Sequence, residues 1–279
     1  MNKSELMSII EQYGLRPNKK LGQNFLVSNA VLDKIINIIG ISSDDRVLEI
    51  GPGLGALTGR MVEVAEGVTA VEIDSGLYRY CAERFRGKNN IRLIHADFLK
   101  LDLADTFTKF VSNLPYYCSS EILFRITRYS APHVYVTLQK EMADRIIAGP
   151  GNKTYGALSV TLGFYYQPTI LFGVSRESFY PRPEVASSLV RLVRRRRLPL
   201  SGGDIDIFHM VVKSAFWGRR KTILKALSES PHLQAGREAA ARSLAAARID
   251  GGRRGEDLTL DEFVSLAEAC RDLRGEQLT

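Results

Sequence analysis

From about residue 46 onward, short apolar runs alternate with segments of helical period. Residues 46–50, 68–73, 91–94, 110–112, 134–138, 170–172 and 188–193 are rich in Val, Ile, Leu and Phe, as buried strands are. Helical segments such as 57–64 and 77–85 fill most of the gaps. Strand–helix alternation of this kind means βαβ units and an α/β fold, with a mostly parallel sheet covered on both faces. Past residue 204 the strand signal stops. Residues 208–226, 236–247 and 259–273 have helical periodicity, with Thr259 and Asp261 suited to opening the last helix. The stretch from Arg194 to Asp204 combines four arginines with proline and glycine and reads as a linker. The expectation is a domain over 1–203, with an N-terminal helical arm, and a small all-helical domain over 204–279.

Charge modifies this picture only locally. The net charge of +7 is carried by residues 1–203, because residues 204–279 hold 12 Lys/Arg and 12 Asp/Glu. The densest stretch, Arg176 to Lys225, has 12 basic and 4 acidic residues and suits either a polyanion or a solvated face. The three cysteines (Cys81, Cys118, Cys270) form no CxxC pair, and the four histidines show no ligand spacing. A disulfide framework and a metal site are therefore not expected, and a reducing cytoplasm is. No apolar run approaches the ~20 residues of a membrane span, and Met1 to Leu15 lacks the features of a signal peptide.

Candidate chemistry sits at the carboxyl ends of the expected strands, where open α/β sheets bind ligands. Strand 46–50 runs into Gly51-Pro-Gly53-Leu-Gly55-Ala56, where glycines let the backbone pass close to a ligand. Glu72, 21 residues beyond Gly51, is placed to accept hydrogen bonds from ribose hydroxyls. This turn also satisfies a dinucleotide fingerprint, so an NAD-binding oxidoreductase is a rival at this point. Asp97 and Asn113 follow the third and fourth strands and extend the row; Asp97 suits an adenine amino group or, equally, an Asx turn.

The run Asn113-Leu114-Pro115-Tyr116 is the most specific local signal. It resembles the tetrapeptide of methyltransferases that act on exocyclic amino groups of bases. The adenine N6 lone pair is delocalised into the ring and is a poor nucleophile. The Asn113 side-chain oxygen and a main-chain carbonyl, that of Leu114, can each accept one N6 hydrogen and turn the lone pair outward. Pro115 supplies no competing N–H, and Tyr116 offers a stacking face for an extruded base. A proline-stiffened turn with a packed tyrosine is the alternative. Cys118 reads as a small packing residue.

Further segments carry a wider resemblance: Lys19 to Leu26, Leu48 to Thr58, Val71 to Asp74, Tyr155 to Val160, Phe179 to Val185, Arg219 to Thr222 and Arg254 to Leu258. Together and in order, they resemble the KsgA (RsmA) family of ribosomal RNA small-subunit adenine N6,N6-dimethyltransferases along nearly the whole chain. The resemblance implies a class I methyltransferase, Rossmann-like, with a seven-stranded sheet, and S-adenosyl-L-methionine as cofactor. It places Asn24, Leu26, Gly51, Glu72, Asp97 and Asn113 on the cofactor, and Phe179 as the second aromatic face beside Tyr116. It further implies a monomeric enzyme without metal or membrane. The implied partner is the rRNA of the immature small ribosomal subunit (the pre-30S particle), modified on two adjacent adenosines of the 3′-terminal hairpin of 16S rRNA. The helical C-terminal domain would help dock that particle, and Arg194, Arg195, Arg196, Arg197, Arg219, Arg220 and Lys221 are candidate phosphate contacts. Gly163 departs from the family pattern, which often has glutamine there. Two rivals stand beside this reading: a dimethylase of large-subunit rRNA, and an assembly or transcription factor that keeps the fold only to bind.

Overall fold

A computed structural model describes residues 3–15, 22–218 and 220–271. The elements in chain order are α1 (Lys3–Gln12), β1 (Phe25–Leu26), α2 (Asn29–Ile39), β2 (Arg46–Ile50), α3 (Ala56–Met61), β3 (Gly67–Glu72), α4 (Ser75–Arg84), β4 (Ile91–His95) and β5 (Lys109–Asn113). There follow α5 (Ser119–Ile126), β6 (His133–Gln139), α6 (Lys140–Ile147), α7 (Ala157–Tyr165), β7 (Tyr166–Val174), β8 (Phe179–Tyr180) and β9 (Ser187–Arg194). The chain closes with α8 (Gly203–Trp217), α9 (Ile223–Glu229), α10 (Arg237–Ala246) and α11 (Leu260–Ala269).

All seven strands expected from the apolar runs form one sheet, in the order β4-β3-β2-β5-β6-β9-β7. The pairs among β4, β3, β2, β5 and β6 are parallel, and β9 is antiparallel to β6. β2 shows why its run is so apolar: Val47, Leu48, Glu49 and Ile50 are all buried, as in a strand covered on both faces. β7 is longer than its apolar stretch 170–172 because Pro168, which reads as a strand breaker, is tolerated on this edge strand. The two-residue strands β1 and β8 pair antiparallel, Leu26 opposite Phe179, and were not expected.

Helix α2 is set by its ends and one face. The Ser28 hydroxyl accepts from the Val31 N–H, Gly40 closes the helix at φ 58°, and Leu32, Ile35 and Ile39 enter the core.

The chain divides into two compact units, residues 1–143 with 168–194 and residues 144–167 with 195–279. The single boundary at 203/204 is thus corrected, because α7 belongs with the C-terminal helices. That helix is buried nearly all round, and the Tyr155 hydroxyl at its entrance donates to the Leu258 carbonyl at 2.9 Å. The expected helix 208–226 is in fact two, α8 and α9. The break falls at Gly218, and Thr222 starts α9 anew by accepting from the Lys225 N–H. The Thr259 N-terminus is as expected, with Glu262 completing a capping box. Among the described residues no helix is long and apolar enough to cross a membrane.

At the amino-terminal edge of the sheet, Asp45 gathers four donors. Its carboxylate accepts from Thr108 Oγ1 (2.6 Å), Ser42 N (2.7 Å), Ser42 Oγ (2.9 Å) and the Lys109 ammonium. Burial raises its pKa, but the hydrogen bonds from Lys109, Thr108 and Ser42 outweigh it and hold the carboxyl at about 2. A depressed carboxyl adds stability above its unfolded value that is lost as pH falls through the folded one. Asp45→Ala should therefore cost about 2–4 kcal/mol near neutrality by urea unfolding, and most of its deficit should be lost as both proteins approach pH 2.

Candidate functional site

The strand order sets the site. β4, β3, β2 and β5 are neighbours, so the residues at or just past their carboxyl ends, Asp97, Glu72, Gly51 and Asn113, stand in one row. The chain reverses its direction of winding between β2 and β5, the place where such sheets open a crevice. A cleft of about 980 Å³ lies there. Of the nine residues assigned to cofactor or base, eight line it: Asn24, Leu26, Gly51, Glu72, Asp97, Asn113, Leu114 and Tyr116. All belong to the first unit.

Glu72 is 4% exposed. Its Oε2 accepts from the Gly53 N–H at 3.1 Å and its Oε1 from the Asp74 N–H at 2.9 Å. One side chain thereby ties the glycine turn to the start of α4, whose first N–H groups are capped by Asp74. Each oxygen keeps a lone pair for a ligand hydroxyl. Burial pushes the carboxyl up to about 7, against the two backbone N–H groups that pull it down.

Two glycines of the turn serve different ends. Gly51 (φ 69°) has open space where a Cβ would stand, Pro115 Cδ being nearest at 3.8 Å, so a ligand can approach its backbone. A Cβ on Gly55 (φ 72°) would meet the Phe85 ring at 2.7 Å, so that glycine is required by packing.

Asn113 is held from the side. Its Nδ2 donates to the Asn24 carbonyl at 2.9 Å, while its Oδ1 is buried without a hydrogen-bond partner among the described residues. That amide orientation leaves an acceptor without a donor in a residue that lines the cleft. The Leu114 N–H donates to Thr137 at 3.0 Å, which fixes the following peptide, and Pro115 sits at φ −63°. The Tyr116 hydroxyl lies 2.5 Å from Ser187 Oγ and anchors a half-buried ring. Burial raises its pKa, with Ser187 opposing, so the phenol is neutral. Asp97 makes the Asx turn, its Oδ1 capping a 3₁₀ turn through the Leu99 N–H at 3.0 Å, and the residue also lines the cleft.

Phe179 is the exception. It is 3% exposed, packs in the main apolar cluster and does not line the cleft. Its expected stacking face is not presented; its backbone pairs with Leu26 and holds the segment that carries Asn24. The arginine run also differs from a free basic linker. Arg194 ends β9 and its guanidinium donates to the Tyr129 carbonyl at 2.7 Å, while Arg195 Nε donates to the Gly163 carbonyl at 2.9 Å. Arg196, Arg197 and Arg220 are exposed. Lys221 pairs with Glu229 at 2.7 Å and lies 3.9 Å over the Trp217 ring; Arg219 lies outside the described residues. Among the described residues no group of three potential ligands could hold a metal.

Sequence reasoning missed Glu49 and Tyr117, which also line the cleft. Glu49 signalled itself as an acid inside an apolar strand, as Glu72 did in the next one. Tyr117, half exposed, is raised to about 12, first by burial and then by its contact with Cys118 and the charges of Asp97 and Glu72. Glu49, 1% exposed, is raised to about 8 by burial, with Thr58 pulling down and Glu72 adding to the rise. In the folded protein, Glu49 and Glu72 hold protons at pH values where the unfolded chain has released them. The ligand-free protein should therefore lose on the order of 2 kcal/mol or more as pH rises from about 4.5 to 8. Urea midpoints measured across that window should fall, and Glu49→Gln should flatten the slope.

A family model described as "Ribosomal RNA adenine dimethylase" matches residues 14–271. A ribosomal RNA small subunit methyltransferase A from Pelotomaculum thermopropionicum is 42% identical, over 96% of this chain and 96% of that relative. Among solved structures, a dimethyladenosine transferase from Plasmodium falciparum superposes with a TM-score of 0.75 at 25% identity, covering 90% of this chain and 98% of that one. The 23S rRNA methyltransferase ErmE gives 0.65 at 27%, covering 88% and 98%.

Proposed function

The chain belongs to the ribosomal RNA adenine dimethylase family, and we propose that it transfers methyl groups from S-adenosylmethionine to N6 of two adjacent adenosines in the 3′-terminal hairpin of 16S rRNA. The observation that carries this reading is the unpartnered, buried Oδ1 of Asn113. A buried acceptor left open costs about 1–3 kcal/mol, a cost that a ligand donor removes. The small-subunit assignment draws on the 42% identical relative; the ErmE likeness supports the same chemistry on rRNA.

The lining residues fit the cofactor. Gly51 leaves its backbone open, Glu72 offers acceptors to ribose hydroxyls and Asp97 can accept from an adenine amino group. Asn24 and Leu26 close the same cleft. S-adenosylmethionine, when bound, supplies an electrophilic methyl. Asn113 Oδ1 and the Leu114 carbonyl accept the N6 hydrogens of the target base, draw the nitrogen out of conjugation and aim its lone pair. Once N6 had taken up that methyl, its surplus proton would leave these two acceptors for solvent. Tyr116 holds the base by stacking. Catalysis thus rests on positioning and oriented acceptors. Arg196, Arg197 and Arg220, exposed and basic, and Arg219 are assigned to RNA phosphates, and the helical second unit to docking on the pre-30S particle. The protein acts in the cytoplasm as a monomer.

After one transfer N6 retains a hydrogen and a lone pair, and a single acceptor suffices to orient it. Nucleoside mass spectrometry over a time course on unmethylated small subunits should show N6-monomethyladenosine rising and then giving way to the dimethyl product. A product that stops at one methyl with cofactor in excess excludes this function, and methylation of large-subunit RNA alone selects the rival.

Glu72→Ala removes both acceptors for the ribose and also the tie to Gly53. Hydrogen bonds to a charged group are worth about 1.5–3 kcal/mol, so calorimetric affinity for S-adenosylmethionine should fall at least about tenfold. Wild-type affinity in the folded variant would remove Glu72 from the cofactor site.

A further inference from the structure

Below the glycine turn, the cleft holds a second carboxyl to which the chemistry above gives no part. Glu49 lies on β2 next to the strand's last residue, is almost wholly buried and lines the same cleft as Gly51 and Glu72. Its Oε2 accepts from Thr58 Oγ1 of α3 at 2.5 Å. The charged and titratable groups around it come from two further elements. Glu72 of β3 repels it, and Arg84 of α4 attracts it from a distance. The Arg84 guanidinium is engaged with the Leu54 carbonyl, and no ion pair joins it to Glu49 among the described residues. The Cys81 thiol of α4 is pushed upward by burial and by both carboxyls, so it is uncharged. Among the described residues one hydroxyl is thus the only donor to Glu49, whereas Glu72 has two backbone N–H groups.

We propose that Glu49 is the charge-balancing group of the cleft, protonated in the free protein and ionised when the cationic cofactor is seated, so that cofactor binding expels a proton. This rests on the reading that the cleft holds S-adenosylmethionine. A buried carboxyl with a like charge beside it keeps its proton, and an opposite charge entering the same low-dielectric space reverses that preference. Only the O–H bond of Glu49 breaks, and its proton passes to solvent. Transfer of the methyl lowers the ligand's net charge by one, and the carboxyl then favours its proton again. The cleft therefore prefers the cationic cofactor to the spent thioether. Two methyl groups on each nitrogen require that exchange to recur at the same site.

Isothermal titration calorimetry at pH 7, in two buffers of different ionisation enthalpy, counts the protons released. The wild type should release about one proton per S-adenosylmethionine bound and clearly fewer with S-adenosylhomocysteine. Below the pH at which Glu49 titrates in the free protein, cofactor affinity should rise about tenfold for each unit by which the pH is raised. Glu49→Gln, close in shape to the protonated side chain, should bind with the proton count sharply reduced. A count unchanged in Glu49→Gln, or equal for the two ligands in the wild type, overturns the inference while leaving the cofactor assignment intact. No binding of either ligand to the wild type overturns both. A second readout needs no variant: with carbon-13 at the glutamate side-chain carboxyls, one buried resonance should move to the ionised position on adding S-adenosylmethionine at pH 7. If none moves, the inference is lost.

Discussion

The site depends on a carboxyl group that binds two backbone N–H groups at once. Glu72 joins the Gly53 N–H of one βα turn to the Asp74 N–H of the next. Parallel strands alone would align their carboxyl ends, but the loops leaving them would be free to move. With the clamp in place, Gly51 faces the cleft, Asp74 caps α4, and the bond from Gln23 to Asp74 at 3.3 Å ties the incoming segment to the same point.

A second fixation governs the other half of the cleft, and here the holding group is a main-chain carbonyl. Asn24 O fixes which way the Asn113 amide lies, and that choice leaves Oδ1, not Nδ2, as the open group. The carbonyl is itself positioned by the β1–β8 ribbon, continued by the Val27 N–H on the Ser178 carbonyl at 2.8 Å. Phe179 thus bears on the cleft through its backbone: it pairs with Leu26, which places Asn24, which orients Asn113.

Most of the sheet was legible because strands covered on both faces read as largely apolar runs: residues 47–50 and 110–112 are buried throughout, while the edge strand β4 showed itself through Ile91, Leu93 and Ile94 although Arg92 is exposed. The row Gly51, Glu72, Asp97 and Asn113 was legible for the same reason, since strand ends in such a sheet converge. What was not legible depends on contacts remote in sequence. The helix break at Gly218 and the grouping of α7 with the C-terminal helices follow from tertiary packing, such as Tyr155 on Leu258. Arg194 and Arg195 look like a solvated run until the carbonyls of Tyr129 and Gly163 are found beside them. Phe179 looks like a binding aromatic by resemblance and is a core residue by packing.

The free protein therefore carries a set of groups that folding alone would not favour. Asn113 Oδ1 has no donor, Glu49 has one hydroxyl, and Glu72 sits in burial that raises it to about 7. Each would be better placed in water, and each lines one cleft. A core made only for stability would replace them with apolar side chains of similar volume. Their retention together is intelligible if the ligands of one cleft satisfy all three, a base amino group donating to Asn113 and a cationic nucleoside offering hydroxyls to Glu72 and a positive charge to Glu49. The instability of the empty cleft and its affinity for its ligands then draw on the same groups, since a ligand that binds only the folded chain stabilises it.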